Sequence, residues 1–459
     1  MLDRTYYEES RHPPPESGDA EVEEWDSRDR GEVLVDYSAY MIDERNRTTA
    51  GCPVTRRASG GVEEDMLQVT FCLAPPPHVS HFCVSYSSGE PTRFQLEPKI
   101  LATEGNLALI GLRHSTLINE PSTYIYFVYR APVLAHGSPE LRRLTHPGED
   151  VIPGFNQCYL RHGEVGILRD NIGAGYKIAT LFEYWGSGAT RYDLCVYDSM
   201  ADTWTRIPTV FLRPGDAPPE HSSDTVITVG GKMGWVDLWR GILLCDVQEE
   251  SPGDTRPLCY VPLPEPMQPA NDLPLCGFGS FFRDITVCQG LIKFVDMQIH
   301  ASPGSRVPNG WTAVTWTMAP GDPEFRKDVE LHSRDIVNGD CLEQSLFVGH
   351  PTLSPRDYDV LYLMTKASLD DDASQVIAVN MKTKTIERPA KFTTQRLASM
   401  DTAYMRSTIS NYLCADPKGN TKRRGPVLQG SSRKKLRAIN PSKDLPPMGE
   451  ESGDTMDWE

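Results

Sequence analysis

No apolar run in this sequence approaches the roughly 20 residues that a membrane-spanning helix needs, so no helical span is expected. The first 30 residues lack the basic-then-apolar order of a secretory signal; they are polar, with Glu21, Glu23, Glu24, Asp26 and Asp29 crowded together. Positive charge is also short. A formal net charge of −17 argues against nucleic acid as a partner, because phosphate binding is driven by Lys and Arg. None of the 11 cysteines forms a C-x-x-C pair, so a zinc framework or disulfide scaffold is not expected, and the thiols read as small buried hydrophobes in a reducing compartment. These absences together predict an intracellular protein, cytoplasmic, nuclear or both, that is not secreted and has no membrane partner.

What is present points to β structure. Apolar residues make up 39% of the chain and charged ones 24%, which fits a globular protein, while 36 Gly and 37 Pro spread along the chain call for many short turns. Residues 1–30 combine acidic charge with Pro13-Pro14-Pro15 and few aliphatics, so they are expected to be disordered. Residues 31–415 are short apolar strands divided by Gly, Pro, Asn and Asp turns. Residues 416–459 read as a second disordered tail carrying a basic cluster.

Six strand-rich segments recur at intervals of roughly 40 to 60 residues, the period of propeller blades. They include Leu67–Phe71 with His81–Tyr86, Leu107–Leu112 with Tyr124–Tyr129, and Lys177–Tyr184 with Tyr192–Asp198 and Asp202–Arg206. Further along come 284–288 with 291–296 and 310–316, then 359–364 with 376–380. The expected class is all-β, propeller-like, with about six to eight blades. In the third segment a strand finishing on Tyr197-Asp198, a turn, and Trp204 on the next strand resemble the close of a kelch-like blade.

The most legible stretch runs from Gly234 to Val247 and reads as a tight hairpin. Ile242-Leu243-Leu244-Cys245 is apolar at four successive positions, which predicts a strand buried on both faces between neighbours. A buried helix could show the same short run, but the Arg240-Gly241 turn before it and Asp246 after it favour a strand. Trp235 and Trp239 then read as packing residues.

Several stretches, taken in order, resemble one family. They are Val33-Leu34-Val35-Asp36, Asn46-Arg47-Thr48-Thr49-Ala50, 68–77, Gly234 to Val247, 282–287, 309–313 and 349–354. On these the chain resembles the plant family called domain of unknown function 1618, which is expanded in grasses. The resemblance implies a propeller-like fold similar to F-box-associated and kelch domains, and it implies no activity. The acidic first 30 residues are too short and polar to form an F-box.

Residue patterns that could carry chemistry are sparse. His78 and His81 stand at a spacing that chelates metal on a helix, but Pro75-Pro76-Pro77 argues against a helix there, and no Cys, Asp or Glu cluster is evident to complete the ligands. Ser187 lacks the G-x-S-x-G spacing of a nucleophile elbow, and Gly173-Ala174-Gly175 lacks the third glycine of a dinucleotide loop. Asp370-Asp371-Asp372 reads as a solvated loop tip, and Asp237 and Asp246 as strand-end carboxylates that satisfy backbone donors. No catalytic, cofactor or metal residue is expected.

The basic tail carries the clearest signal. Lys422-Arg423, then ten residues, then Lys434-Lys435-Leu436-Arg437 fit a bipartite nuclear-import signal, with Lys422, Arg423, Lys434, Lys435 and Arg437 as the contacts for an import receptor. The functional expectation is a non-enzymatic module that binds protein partners through loops at one rim or the central channel, the alternative being an enzyme or small-molecule binder using the channel mouth.

Overall fold

The computed structural model describes residues 31–413 except 59–60, 89–96, 115–122, 133–136, 149–150, 153–159, 171–174, 187–188, 214, 216, 219, 249–254, 268–277, 303–306, 338–346, 369–372, 388 and 394–402. Both expected tails, the basic cluster, Ser187, Gly173-Ala174 and the Asp370–Asp372 run lie outside the described residues.

The fold is all-β, as expected, with one four-residue α-helix and two short 3-10 helices among the described residues. It starts with a short strand that has a long-range partner. Strand β1 (Val33–Asp36) lies parallel to β4 and antiparallel to β26 (Tyr404–Ser407), so the first and last strands of the described chain share one sheet. That sheet continues through a meander of β2 (Ala50–Ala58), β3 (Gly61–Cys72) and β4 (Val79–Tyr86).

Five further meanders follow. The second is β5 (Lys99–Glu104), β6 (Leu107–His114), β7 (Thr123–Arg130) and β8 (Glu140–Arg143). The third is β9 (Val165–Arg169), β10 (Tyr176–Gly186), β11 (Ala189–Asp198) and β12 (Thr203–Phe211). The fourth is β13 (Thr225–Val229), β14 (Lys232–Asp237), β15 (Gly241–Asp246) and β16 (Arg256–Pro262). Helix α1 (Gly279–Phe282) leads into the fifth, β17 (Arg283–Cys288), β18 (Leu291–Ala301), β19 (Pro308–Met318) and β20 (Arg326–His332). The sixth is β21 (Phe347–Leu353), β22 (Val360–Lys366) and β23 (Ala373–Asn380), with β24 (Thr385–Ile386) and β25 (Ala390–Thr393) both paired to β23.

The predicted hairpins are therefore paired strands. One feature departs from six separate meanders: β12 pairs in parallel with β16, which joins the third and fourth into one eight-stranded sheet. Residues 209–211 run past the end of their own meander's pairing and find the free edge of the neighbour, so an exposed strand edge is covered.

Burial explains the arrangement. Six apolar clusters lie one between each consecutive pair of meanders: Phe82 with Phe127, Leu109 with Ile167, Leu194 with Trp235, Val236 with Phe294, Val295 with Leu361, and Tyr362 with Leu34. Each sheet has apolar side chains on both faces and must be covered twice. At about 1.5–3 kcal/mol per fully buried large apolar side chain, these layers dominate stability.

The short β1 shows the rule of two in miniature. Val33 and Val35 enter the cluster beneath the first two meanders, whereas Leu34 points the other way into the cluster shared with the sixth. Glu32 just before it accepts hydrogen bonds from Ser354 Oγ at 2.7 Å and Tyr362 OH at 2.8 Å, tying the start of the described chain to the sixth meander.

Two local expectations can be placed. In the third meander Tyr197 pairs across the ladder with Trp204, their rings 5.5 Å apart, while Asp198 accepts the turn N–H groups of Met200 and Ala201. In the fourth, Ile242, Leu243 and Cys245 are buried while Leu244 is only half-buried, and β15 is an interior strand between β14 and β16, third from the edge strand β13.

Candidate functional site

The first strands of the second to sixth meanders and β26 meet one another. β5 lies against β9, β9 against β13, β13 against β17, β17 against β21 and β21 against β26. Thr103 Oγ1 on β5 donates to the Arg406 carbonyl of β26 at 3.3 Å, which returns the series to its start. These six strands enclose a cavity of about 390 Å³, in the size range of small-molecule sites.

Its walls are unusually polar for a space between buried strands. Glu104, at the end of β5, accepts a hydrogen bond from Thr228 Oγ1 at 3.1 Å, and burial raises its pKa against the opposing pull of that bond and of Arg169. Asp224, just before β13, is pushed up to about 6, chiefly by burial; the N–H of Leu238, which it accepts at 2.8 Å, pulls the other way. Asp284 on β17 accepts both Arg406 guanidinium nitrogens and the backbone N–H of Leu353, bridging β17, β21 and β26.

His350 is the strained member. It takes φ of +51°, a left-handed backbone uncommon outside glycine, at the irregular pairing of β21 with β22. Its ring meets Phe281 edge-on at 5.0 Å, and burial drives its pKa down to about 4, so it is neutral at pH 7.

The Gly234–Val247 hairpin borders this cavity through Leu238. Asp237 accepts the N–H groups of Ser222 at 3.0 Å and Trp239 at 2.9 Å and pairs with Arg240 at 2.9 Å. Arg283, fully buried, donates to the Leu238 carbonyl and to Asp296, each at 2.7 Å, with its guanidinium 5.0 Å from the Trp239 ring. Trp235 is buried and donates to the Glu164 carbonyl at 2.9 Å. Gly234 has no room for more: a Cβ would stand 2.8 Å from Ile242 and 2.9 Å from Leu244. Asp246, at the other end, accepts the N–H of Gln248 at 2.9 Å. Both flanking carboxylates are thus engaged with backbone donors.

A second cavity of about 270 Å³ lies beside Trp235. It holds the buried His221 ring and the Tyr192 hydroxyl, which has no hydrogen-bond partner among the described residues, and it is roomy enough for bridging water. Burial lowers the His221 pKa to about 4.

A third constellation corrects the sequence reading of the histidines. His78 is exposed on the turn before β4 and lies outside the cluster, but strand pairing brings Cys72 and Cys83 beside His81, so cysteine ligands do stand near it. Facing residues on paired strands are distant in sequence, and spacing along one strand could not reveal them. The tail residues Lys422, Arg423, Lys434, Lys435 and Arg437 have no described position.

Sequence comparison addresses the segment that contains the hairpin. Residues 235–362 match the family described as a protein of unknown function, DUF1618. The matched segment carries Leu238, Arg283, Asp284 and His350, and therefore one side of the main cavity. No curated protein matches the chain.

Solved structures give remote likenesses. One is a protein of unknown function from Dyadobacter fermentans, 10% identical, covering 73% of this chain and 94% of that one at a TM-score of 0.32. Another is dipeptidyl peptidase 4 from Porphyromonas gingivalis, 11% identical, covering 60% and 39% at 0.24. A third is Trypanosoma rangeli sialidase, 11% identical, covering 76% and 56% at 0.29. The chain spans less than two thirds of the last two, and at these scores no residue or activity carries over.

Proposed function

We propose that the six meanders are the blades of a six-bladed β-propeller and that the protein is a non-enzymatic binding module whose site is the cavity. One observation carries this reading: a single strand from each meander lines a space of about 390 Å³ whose walls hold Glu104, Asp224, Asp284 and Arg406. The arginines are neutralised by Asp284 and Asp296, leaving Glu104 and Asp224 as the acidic groups facing the space. A small cation or a hydrogen-bond-donating molecule, such as an amine or a polyol, suits that lining.

Most of these groups are held by neighbours in the fold, which supports recognition on a rigid frame over chemistry. The experiment is a ligand-observed NMR screen of amines and polyols against the protein and T225F, which places a large side chain in the cavity wall. Binding to the protein that T225F abolishes supports the reading. Equal binding by both, or none by either, refutes it.

Protein binding is a second reading, favoured by the β10–β11 hairpin. There Trp185 is 75% exposed, and Arg206 lies over the Phe182 and Tyr184 rings at 4.7 and 5.6 Å, a combination frequent in interface hot spots. A kelch-like plant protein is part of the same proposal, the kelch likeness supported by the Tyr197–Trp204 close of the third meander and the plant origin by the family resemblance in the sequence. Import through the basic tail places the protein in the nucleus. A fluorescent fusion with K434A and K435A that keeps the original distribution would sink that idea.

A further inference from the structure

We propose that Cys72, His81 and Cys83 form a three-ligand site for a thiolate-preferring divalent ion of the zinc type, with a fourth position open to water or a small anion. The sheet register creates the site. Cys72 pairs with His81 and Thr70 with Cys83 across β3 and β4, and directly paired residues project to the same face, so all three side chains emerge together. The opposite face is the apolar one: Val69, Phe71, Phe82 and Val84 are fully buried in the cluster beneath the first two meanders. Cys83 is buried, as the sequence suggests, but Cys72 is only partly so, and neither belongs to that apolar cluster.

The distances fit a metal better than a disulfide. One ligand atom from each residue lies within 4.8 Å of the others, and the two Sγ atoms are 3.8 Å apart. Two thiolates held at ~2.3 Å from a tetrahedral ion stand about 3.8 Å apart, whereas disulfide sulfurs are about 2.0 Å apart. The two cysteines occupy diagonal positions on the ladder, and both thiols are free.

Two of the three side chains reach the surface. Cys83 is buried, Cys72 and His81 are partly exposed, and the Tyr40 ring packs edge-on against His81 at 5.0 Å. The contact with Cys83, aided by His81, lowers the Cys72 thiol pKa, while the same contact and burial raise that of Cys83. Metal binding forms two S–metal bonds and one N–metal bond, and the thiol protons leave to solvent.

The test is Co²⁺ titration of the full, reduced chain. The expected result is one Co²⁺ per chain, a thiolate-to-cobalt charge-transfer band, displacement by Zn²⁺, and protection of Cys72 and Cys83 from alkylation. C72S and H81N should each weaken Co²⁺ binding by more than ~10-fold, since loss of even a supporting residue typically costs that much. C245S, whose thiol is buried in another meander, should bind as the original does. Circular dichroism of each variant separates lost binding from lost fold, and alkylation protection in the unmutated chain stands without any variant. No band, a band retained in folded C72S, or isolation of the chain with Cys72 and Cys83 joined as a disulfide overturns the proposal.

Discussion

Replacing Asp224 with Asn should stabilise the protein at neutral pH and leave it unchanged in acid. Asp224 lines the cavity, and burial raises its pKa from the usual 3.8 to about 6, with the nearby Asp237 charge adding to the rise. Between those two values the folded chain holds a proton that the unfolded chain has released. Folding therefore takes up a proton in this window, and stability falls as pH rises through it. Above the folded pKa the whole penalty is present; below the unfolded pKa it vanishes. A shift of about 2 units corresponds to about 3 kcal/mol, an upper bound for a group that retains a hydrogen bond from Leu238. Asn keeps an acceptor for that N–H and cannot ionise. Guanidinium unfolding of both proteins at several pH values should give a difference near zero at about pH 4 that grows to about 1–3 kcal/mol in favour of D224N by about pH 8. Because other buried carboxyls such as Glu32 and Glu104 are also raised, the variant-minus-original difference is the informative quantity. A difference that does not change with pH, or a D224N protein less stable at pH 8, would refute the assignment of the penalty to this carboxylate.

Two further outcomes test the hairpin and its anchor. G234A should lose about 1–3 kcal/mol in thermal unfolding, because the added methyl meets Ile242, Leu244 and Ile227 with no slack; an unchanged midpoint would show that β13, β14 and β15 pack less closely. D296A should cost about 3–5 kcal/mol by stranding the buried Arg283, and the double variant R283M/D296L should recover at least half of that, as replacement of a buried pair by apolar groups often does. A double variant as unstable as D296A would mean that the hydrogen bond from Arg283 to the Leu238 carbonyl matters more than the ion pair.

Much of the fold could be read from residue order. Hairpins such as 107–112 with 124–129 announce themselves by apolar runs and turn residues close together, and both are local signals. The Tyr197–Trp204 close was legible for the same reason, since only a short turn separates the partners. The site was much less legible. Glu104, Asp224, Asp284, His350 and Arg406 come from five different meanders and belong to no motif, so nothing in their spacing announces a common cavity. Cys72, His81 and Cys83 are nearer in sequence, yet their meeting depends on a register that places Cys72 opposite His81; a shift of one residue would turn one strand's ligands to the other face.

Local pattern alone determined that the described chain is built mainly of β-strands, where its hairpins turn, and that Ile242, Leu243 and Cys245 are interior. These follow from side-chain period, turn chemistry and apolar content, which act over a few residues. Tertiary structure alone decided that β1 closes against β4 and β26, that β12 crosses to β16, that five separated polar residues share one cavity, and that two thiols face a histidine. Each of those depends on contacts between residues far apart in the chain, or on strand register, and these are settled only when six doubly apolar meanders must all be covered at once.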